Sequence, residues 1–143
     1  MPSDSSTTAS PYAKPLPKPT PLTQPFWDLA REGRLAVQAC RSCGDRHFPA
    51  SPVCPECLST DQEWQVVSGR GTLVSWVEFH RAYWDGFKAD LPYRVCLVQL
   101  EEGPLLYSNL VGADAGEGRV GRPVSVVFEK VTETVTLPKF VLA

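Results

Sequence analysis

Histidine is scarce in this chain: only His47 and His80 occur among its 143 residues. No His/Asp pair stands at a workable spacing, so a hydratase or thioesterase constellation is hard to assemble. The patterns G-x-S-x-G, G-x-x-x-x-G-K-[ST] and G-x-G-x-x-G are all missing. Gly116-Glu117-Gly118 is no phosphate cradle, since no Lys-Ser/Thr and helix follow it. A basic surplus is lacking too. Fourteen Lys and Arg face sixteen Asp and Glu, for a net charge of -2. From Trp64 onward the balance is eight against nine, so no basic half is hidden. That argues against holding nucleic acid by bulk electrostatics. No apolar run reaches the length of a transmembrane helix. The N-terminus lacks the basic, apolar and small-residue order of a signal peptide. The expectation is a cytoplasmic chain whose thiols stay reduced.

What is present is concentrated between residues 40 and 57. The stretch reads C-R-S-C-G-D-R-H-F-P-A-S-P-V-C-P-E-C. Cys40 and Cys43 form one C-x2-C pair, Cys54 and Cys57 another, and ten residues separate them. A C-x2-C knuckle puts two thiolates on one side of an ion, and two facing knuckles complete a tetrahedron. The reading is a structural Zn²⁺ site on Cys40, Cys43, Cys54 and Cys57. A redox pair or two disulfides would be the alternatives, but redox C-x-x-C motifs usually come singly, beside a helix. Four thiolates leave no open position for water, so this metal is not catalytic. His47 lies between the knuckles, outside an already filled shell. Phe48 is expected to cover the small core of the ribbon.

The remaining chain divides by composition. Residues 1–22 are rich in Ser, Thr and Pro and read as a disordered tail, or as an arm lying on a partner. Residues 23–63 hold a short helix and the ribbon. Thr23 is expected to cap that helix, with Pro25 in its first turn and Gly33 ending it. Phe26 and Trp27 then need something to pack against. Leu35 to Ala39 reads as a short strand entering the first knuckle.

Residues 64–143 read as β structure. Val66 and Val67 followed by Thr72 to His80 are expected to form one long strand system, bent at Gly69 and Gly71. Further strands are predicted over 93–100, 105–111, 124–131 and 135–142. Five strands with a bent first strand predict an OB-type barrel. The fold class is therefore mainly β: a helix and rubredoxin-like ribbon, then a five-stranded OB-fold barrel. Cys96, mid-strand, reads as a buried and inert thiol.

The loop His80 to Pro92 joins the first two barrel strands, a position from which OB folds commonly bind ligands. Phe79, Tyr83, Trp84, Phe87, Tyr93 and Arg94 crowd it, with Arg81 and Lys88 alongside. Rings with a few cations suit a nucleotide or an acyl-CoA, and equally a protein interface. They also suit a plug over the barrel mouth, and composition alone leaves all three open. A single-stranded nucleic-acid binder would use Trp76 and Trp84 as stacking platforms.

The order Phe26-Trp27, Cys40-x2-Cys43-Gly44, His47-Phe48-Pro49, Cys54-Pro55-x-Cys57, Trp64, Ser68-Gly69-Arg70-Gly71-Thr72 and Pro92-Tyr93 carries a resemblance. It resembles the zinc-ribbon plus OB-fold proteins associated with thiolases, long catalogued as a domain of unknown function. The match runs from about Thr23 to the C-terminus. Pro49-Ala50-Ser51 stands where many members have a second proline and an arginine. The resemblance implies a non-catalytic subunit of an acyl-CoA enzyme, whether a thiolase, a sterol-carrier-protein-type thiolase or related aldolase, an acyltransferase or a hydroxymethylglutaryl-CoA synthase assembly, with no catalytic residue of its own. It implies a ribbon and helix that dock on the partner, and a barrel that helps hold acyl-CoA or shapes the partner's active site.

Overall fold

A computed structural model describes residues 13–143. The tail expectation for residues 1–22 falls largely on residues 1–12, which lie outside the described residues.

The first helix, α1, runs Gln24–Arg31. Phe26 and Ala30 share its buried face. It ends where the Gly33 N–H bonds to the Ala30 carbonyl and the Arg34 N–H to the Leu29 carbonyl, the paired bonds of a Schellman stop. Its start corrects an expectation. Thr23 is the N-cap residue but gives no side-chain cap. Its hydroxyl instead accepts the Thr20 N–H at 2.9 Å, so it closes the preceding turn.

Three strands form the ribbon sheet, in the order β2-β1-β3: β1 Ala36–Cys40, β2 Arg46–His47 and β3 Gln62–Val66. Both neighbours run antiparallel to β1. All five residues of β1 are buried, so it is covered on both faces. The long strand system expected from Val66 onward is two elements. Val66 pairs with Ala36 in the ribbon sheet, and Ser68-Gly69 then turns the chain away before the barrel begins.

The barrel strands are β4 Arg70–Phe79, β5 Tyr93–Leu100, β6 Leu105–Asn109, β7 Pro123–Lys130 and β8 Thr136–Leu142. Their order is β6-β5-β4-β7-β8, all antiparallel. A parallel bridge from Leu110 to Phe140 brings the two ends together. The Val111 N–H bonding to the Phe140 carbonyl at 2.8 Å completes the join. This is the five-stranded, nearly closed barrel of the OB type. β4 serves two partners: residues 70–72 pair with β7, and residues 71–79 with β5. That demands a sharp bend. Gly69 supplies one part, at φ 81°. Gly71 supplies another, because a Cβ there would stand 2.5 Å from the Gln99 carbonyl oxygen. The register slip comes later, between Leu73 and Ser75, where Val74 bulges out.

One apolar cluster runs through the described chain. Leu73, Cys96, Val98, Leu100, Leu106, Val124 and Phe140 fill the barrel, and Phe26, Leu35, Val37 and Val67 extend the same cluster into α1 and the ribbon. The Phe26 ring lies 4.9 Å from Trp27, 5.5 Å from Phe48 and 6.2 Å from Trp64. Helix, inter-knuckle loop and ribbon strand therefore meet on one residue. Phe48 does cover apolar surface as expected, though the surface is this shared one rather than a separate ribbon core. In the loop after β6, Ala115 of the short 3-10 turn Ala115–Glu117 is buried.

Gly71→Ala tests the close approach of β4 to β5. The added methyl meets the Gln99 backbone and the buried Val98 side chain at 2.8 Å, so we expect a loss of about 1–3 kcal/mol in a urea titration, with the denaturant slope unchanged.

Candidate functional site

The two knuckles are built alike. In the first, the Gly44 N–H returns to the Cys40 carbonyl at 2.9 Å; in the second, the Leu58 N–H returns to the Cys54 carbonyl at 2.8 Å. Each turn needs a left-handed residue at its end. The first uses glycine, whereas the second places the exposed Leu58 there at φ 65°, a conformation that costs a branched side chain about 1 kcal/mol. The knuckles face each other. Cys40 Sγ lies 3.6 Å from Cys57 Sγ, and Cys43 Sγ lies 3.6 Å from Cys54 Sγ. All four sulfurs fall within 4.8 Å of one another. A tetrahedron with sulfur at about 2.3 Å from its centre has edges of about 3.8 Å, so the cage fits one Zn²⁺. The cage thiols do not share one tendency: despite the Asp45 N–H, burial and the neighbouring sulfurs push Cys43 up to about 12, and Cys57 is raised as well. The Cys43 N–H, against opposition from burial, holds the Cys40 thiol down at about 6, and the Glu56 N–H points at Cys54 Sγ from 3.4 Å.

Around the cage, polar side chains fix the loops. The buried Gln38 Oε1 accepts the Ser51 N–H at 2.7 Å and faces His47 Nε2 at 3.0 Å. His47 Nδ1 meets Asp45 Oδ2 at 3.1 Å. Both ring nitrogens are thus engaged, and the imidazole braces the loop between the knuckles. Arg41 ties the far side, 2.9 Å from Asp61 and 3.5 Å from Glu63. Gln38 escaped sequence reasoning because a lone Gln in a short strand carries no pattern.

The aromatic residues of the second candidate site do assemble. Phe79 stacks on Tyr93 at 5.0 Å, and Tyr93 on Phe87 at 4.9 Å. Tyr83 sets its edge against Phe79, and Trp84 leans on Phe87. A 3-10 turn over Asp85–Asp90 carries the loop; no periodicity announced it. Arg94 leaves β5 on the opposite face from Tyr93. Its Nη2 sits 2.6 Å from Glu78 Oε2, while its Nε is buried with no partner. Phe87, Tyr93 and Arg94 line one wall of a cavity of about 610 Å³ at the barrel mouth, and Phe128 and Lys139 line another. The cations there are already matched: Lys139 with Glu129, Lys88 with Asp85, Arg94 with Glu78. A phosphate would have to compete with these carboxylates.

Trp76 does not serve as a surface platform. It pairs in register with the buried Cys96 and packs on the barrel core. Of the two rings a single strand would stack on, only Trp84 is exposed.

The outer face of β4–β6 carries uncovered apolar side chains. Its cross-strand rows read Ser75-Leu97-Tyr107 and Val77-Val95-Asn109, ending on the Phe79-Tyr93 pair. Tyr107 is 75% exposed and Val77 52%. A second apolar groove, about 320 Å³, opens between α1, the ribbon and β6, lined by Phe26, Trp27, Phe48, Trp64 and Tyr107.

Two family models match consecutive stretches of the chain. One, described as the ChsH2 rubredoxin-like zinc ribbon domain, covers residues 27–63. The other, the ChsH2 C-terminal OB-fold domain, covers residues 64–129. A DUF35 domain-containing scaffold protein of Pyrococcus furiosus is 35% identical over 109 residues, which are 76% of this chain and 79% of that protein. The chain belongs to the DUF35 family. A solved structure described as Ltp2-ChsH2(DUF35) aldolase superimposes on this DUF35 chain with a TM-score of 0.79 at 31% identity, over 89% of this chain and 98% of that one. A probable enoyl-CoA hydratase alpha subunit of Thermomonospora curvata is 34% identical over 116 residues; these are 80% of the DUF35 chain but only 36% of that relative. The chain thus spans about a third of the length of this longer relative. The family's ribbon and the four clustered sulfurs together support a structural Zn²⁺ in this DUF35 chain. No helix among the described residues is long and apolar enough to cross a membrane.

Cys96 provides an internal control for the metal. Burial pushes its thiol up to about 11, so it stays protonated and covered at neutral pH. In the zinc-loaded chain we expect iodoacetamide to label no cysteine quickly. After chelation, Cys40, Cys43, Cys54 and Cys57 should label within minutes while Cys96 stays unlabelled, as read by peptide mass spectrometry. Early labelling of Cys96 would mean that zinc loss opens the barrel as well.

Proposed function

We propose that this chain is an accessory subunit that docks on a thiolase-like or aldolase-type acyl-CoA enzyme and supplies no catalytic residue to the reaction. Cys40, Cys43, Cys54 and Cys57 are the four zinc ligands, and the metal is a cross-link. The observation that carries the reading is the uncovered apolar outer face of β4–β6, continuous with the aromatic loop. An apolar surface of this kind is a mark of an interaction site. Related DUF35 proteins are described as scaffolds, and one solved relative is described together with an aldolase. Hydratase alpha subunits, one of them acting on 3-oxo-4,17-pregnadiene-20-carboxyl-CoA in Mycobacterium tuberculosis, contain a related stretch. Those names support an acyl-CoA setting.

Phe79, Tyr83, Trp84, Phe87 and Tyr93 form the ligand-facing edge of this surface, and Arg94 faces the cavity from the other side of β5. Their rings suit the acyl or pantetheine portion of acyl-CoA. Of the cations beside them, Lys88 and Arg94 already meet carboxylates and Arg81 lies over the Tyr83 ring, which favours leaving the phosphates to the partner. A cytoplasmic setting fits the reduced thiols the zinc cage requires.

The purified chain is expected to turn over no acyl-CoA. Co-expressed with a thiolase-like or aldolase-type acyl-CoA enzyme of its host, it should co-purify as a hetero-oligomer. Tyr107→Glu or Val77→Glu, each placing a charge on the outer face, should weaken that complex at least about tenfold in a pull-down titration while leaving zinc content unchanged. Turnover by the isolated chain would overturn the accessory reading, and full binding by both charge variants would overturn the assigned face.

A further inference from the structure

The N-terminal end of the described chain is fastened to the barrel mouth. Lys14 Nζ pairs with the Asp90 carboxylate and sits 5.2 Å above the Phe87 ring. Its side chain is only 19% exposed, low for a lysine near a chain end. Lys14 and Pro15 both line the 610 Å³ cavity, beside Phe87, Tyr93 and Arg94. Gly86 gives a second, independent sign of the contact. A Cβ at Gly86 would stand 2.6 Å from the Ala13 carbonyl oxygen and 3.0 Å from the Lys14 nitrogen. Its backbone is outside the left-handed region, so local conformation does not demand glycine there. What demands it is the passage of the arm's backbone over the turn.

We propose that residues 13–15 are a strap that holds the aromatic turn Asp85–Asp90 over the barrel mouth. The strap grips by three means: a backbone crossing at Gly86, an ion pair to Asp90, and a cation over the Phe87 ring. The turn also rests on rings of the chain it belongs to, since Phe87 stacks on Tyr93 and Trp84 leans on Phe87, and the strap closes over it from the other side. The prolines that follow, at 15, 17, 19 and 21, keep the arm extended so that it spans from the mouth back to α1. Two consequences follow. Any ligand that enters the cavity shares its wall with Lys14 or displaces it, so the strap controls access. The rings of the loop are held in their stacked arrangement before a partner arrives. This goes beyond the accessory reading and does not depend on it, since the strap is a property of the isolated chain.

Hydrogen exchange on the full-length, zinc-loaded chain tests it. Gly86→Ala adds one methyl against the arm at no backbone strain, and Lys14→Glu puts like charges together. Each should speed exchange in the peptide spanning residues 81–91 about tenfold, leaving β1 and β7 unchanged. The swap Lys14→Glu with Asp90→Lys restores the ion pair but not the cation over Phe87, so exchange should fall part of the way back from the Lys14→Glu level. Unchanged exchange in both single variants, or a swap that restores nothing, overturns the strap.

Discussion

Everything in this molecule hangs on a five-residue strand. Ala36–Cys40 is buried throughout, and its two ends belong to different cohesive systems. Leu35 and Val37 are part of the apolar cluster that fills the barrel, while Cys40 is a corner of the sulfur cage. The strand therefore joins a metal cross-link to a hydrophobic core. A ribbon of this size buries too little apolar surface to order itself. A metal offsets that, because binding to a preformed cage becomes folding energy. The Phe26 contacts then carry the order outward, since its ring touches both Phe48 of the inter-knuckle loop and Trp64 of the last ribbon strand. Truncating such a ring costs about 3–5 kcal/mol in a packed core, which is comparable to the whole stability of a small domain.

The division of labour between cage and barrel explains which features were legible in advance. Four thiolates at fixed spacing announce themselves, because metal chemistry restricts both residue type and position. The five barrel strands were legible as well, since β-branched and apolar runs broken by Gly, Pro and Glu turns leave few other readings. Three features were not. Val66 read as the start of the barrel because Val67 follows it, yet it stands opposite Ala36 in the ribbon sheet; pairing is a long-range fact that no local pattern encodes. Trp76 read as a surface platform, but the slip at Val74 moves it onto the inner face with Cys96. A one-residue slip reverses the direction of every later side chain in a strand. Gly86 carried no signal at all, because its reason lies in residues 13 and 14, far away in sequence.

The aromatic loop shows how composition and geometry differ as evidence. Rings and cations together suggested a phosphate-bearing ligand. Distances alter that picture, because Arg94, Lys88 and Lys139 each meet a carboxylate. A balanced set of ion pairs presents little net field, and paired charges at a rim add only modestly to affinity. What remains for recognition is the rings themselves and the one orphan donor, Arg94 Nε, which an uncharged carbonyl oxygen would satisfy.

The same reasoning applies to the outer face of β4–β6. A net charge of -2 spread over a mixed surface gives no steering to a partner. Val77, Val95, Leu97 and Tyr107 form rows across three strands with no charge among them. Association through such a face draws on apolar burial, and the rigid sheet beneath it loses little conformational freedom on binding. The barrel is well suited to this task because its strands pair into a nearly closed ring, which leaves few open edges to aggregate. A small β protein with an apolar outer face normally risks adding strands to its neighbours. Here closure directs association to side chains, whose pattern is specific, and away from backbone edges, whose pattern is not. Zinc, core and closed barrel thus serve one physical end: a hydrophobic surface that stays flat, exposed and ordered until a matching surface covers it.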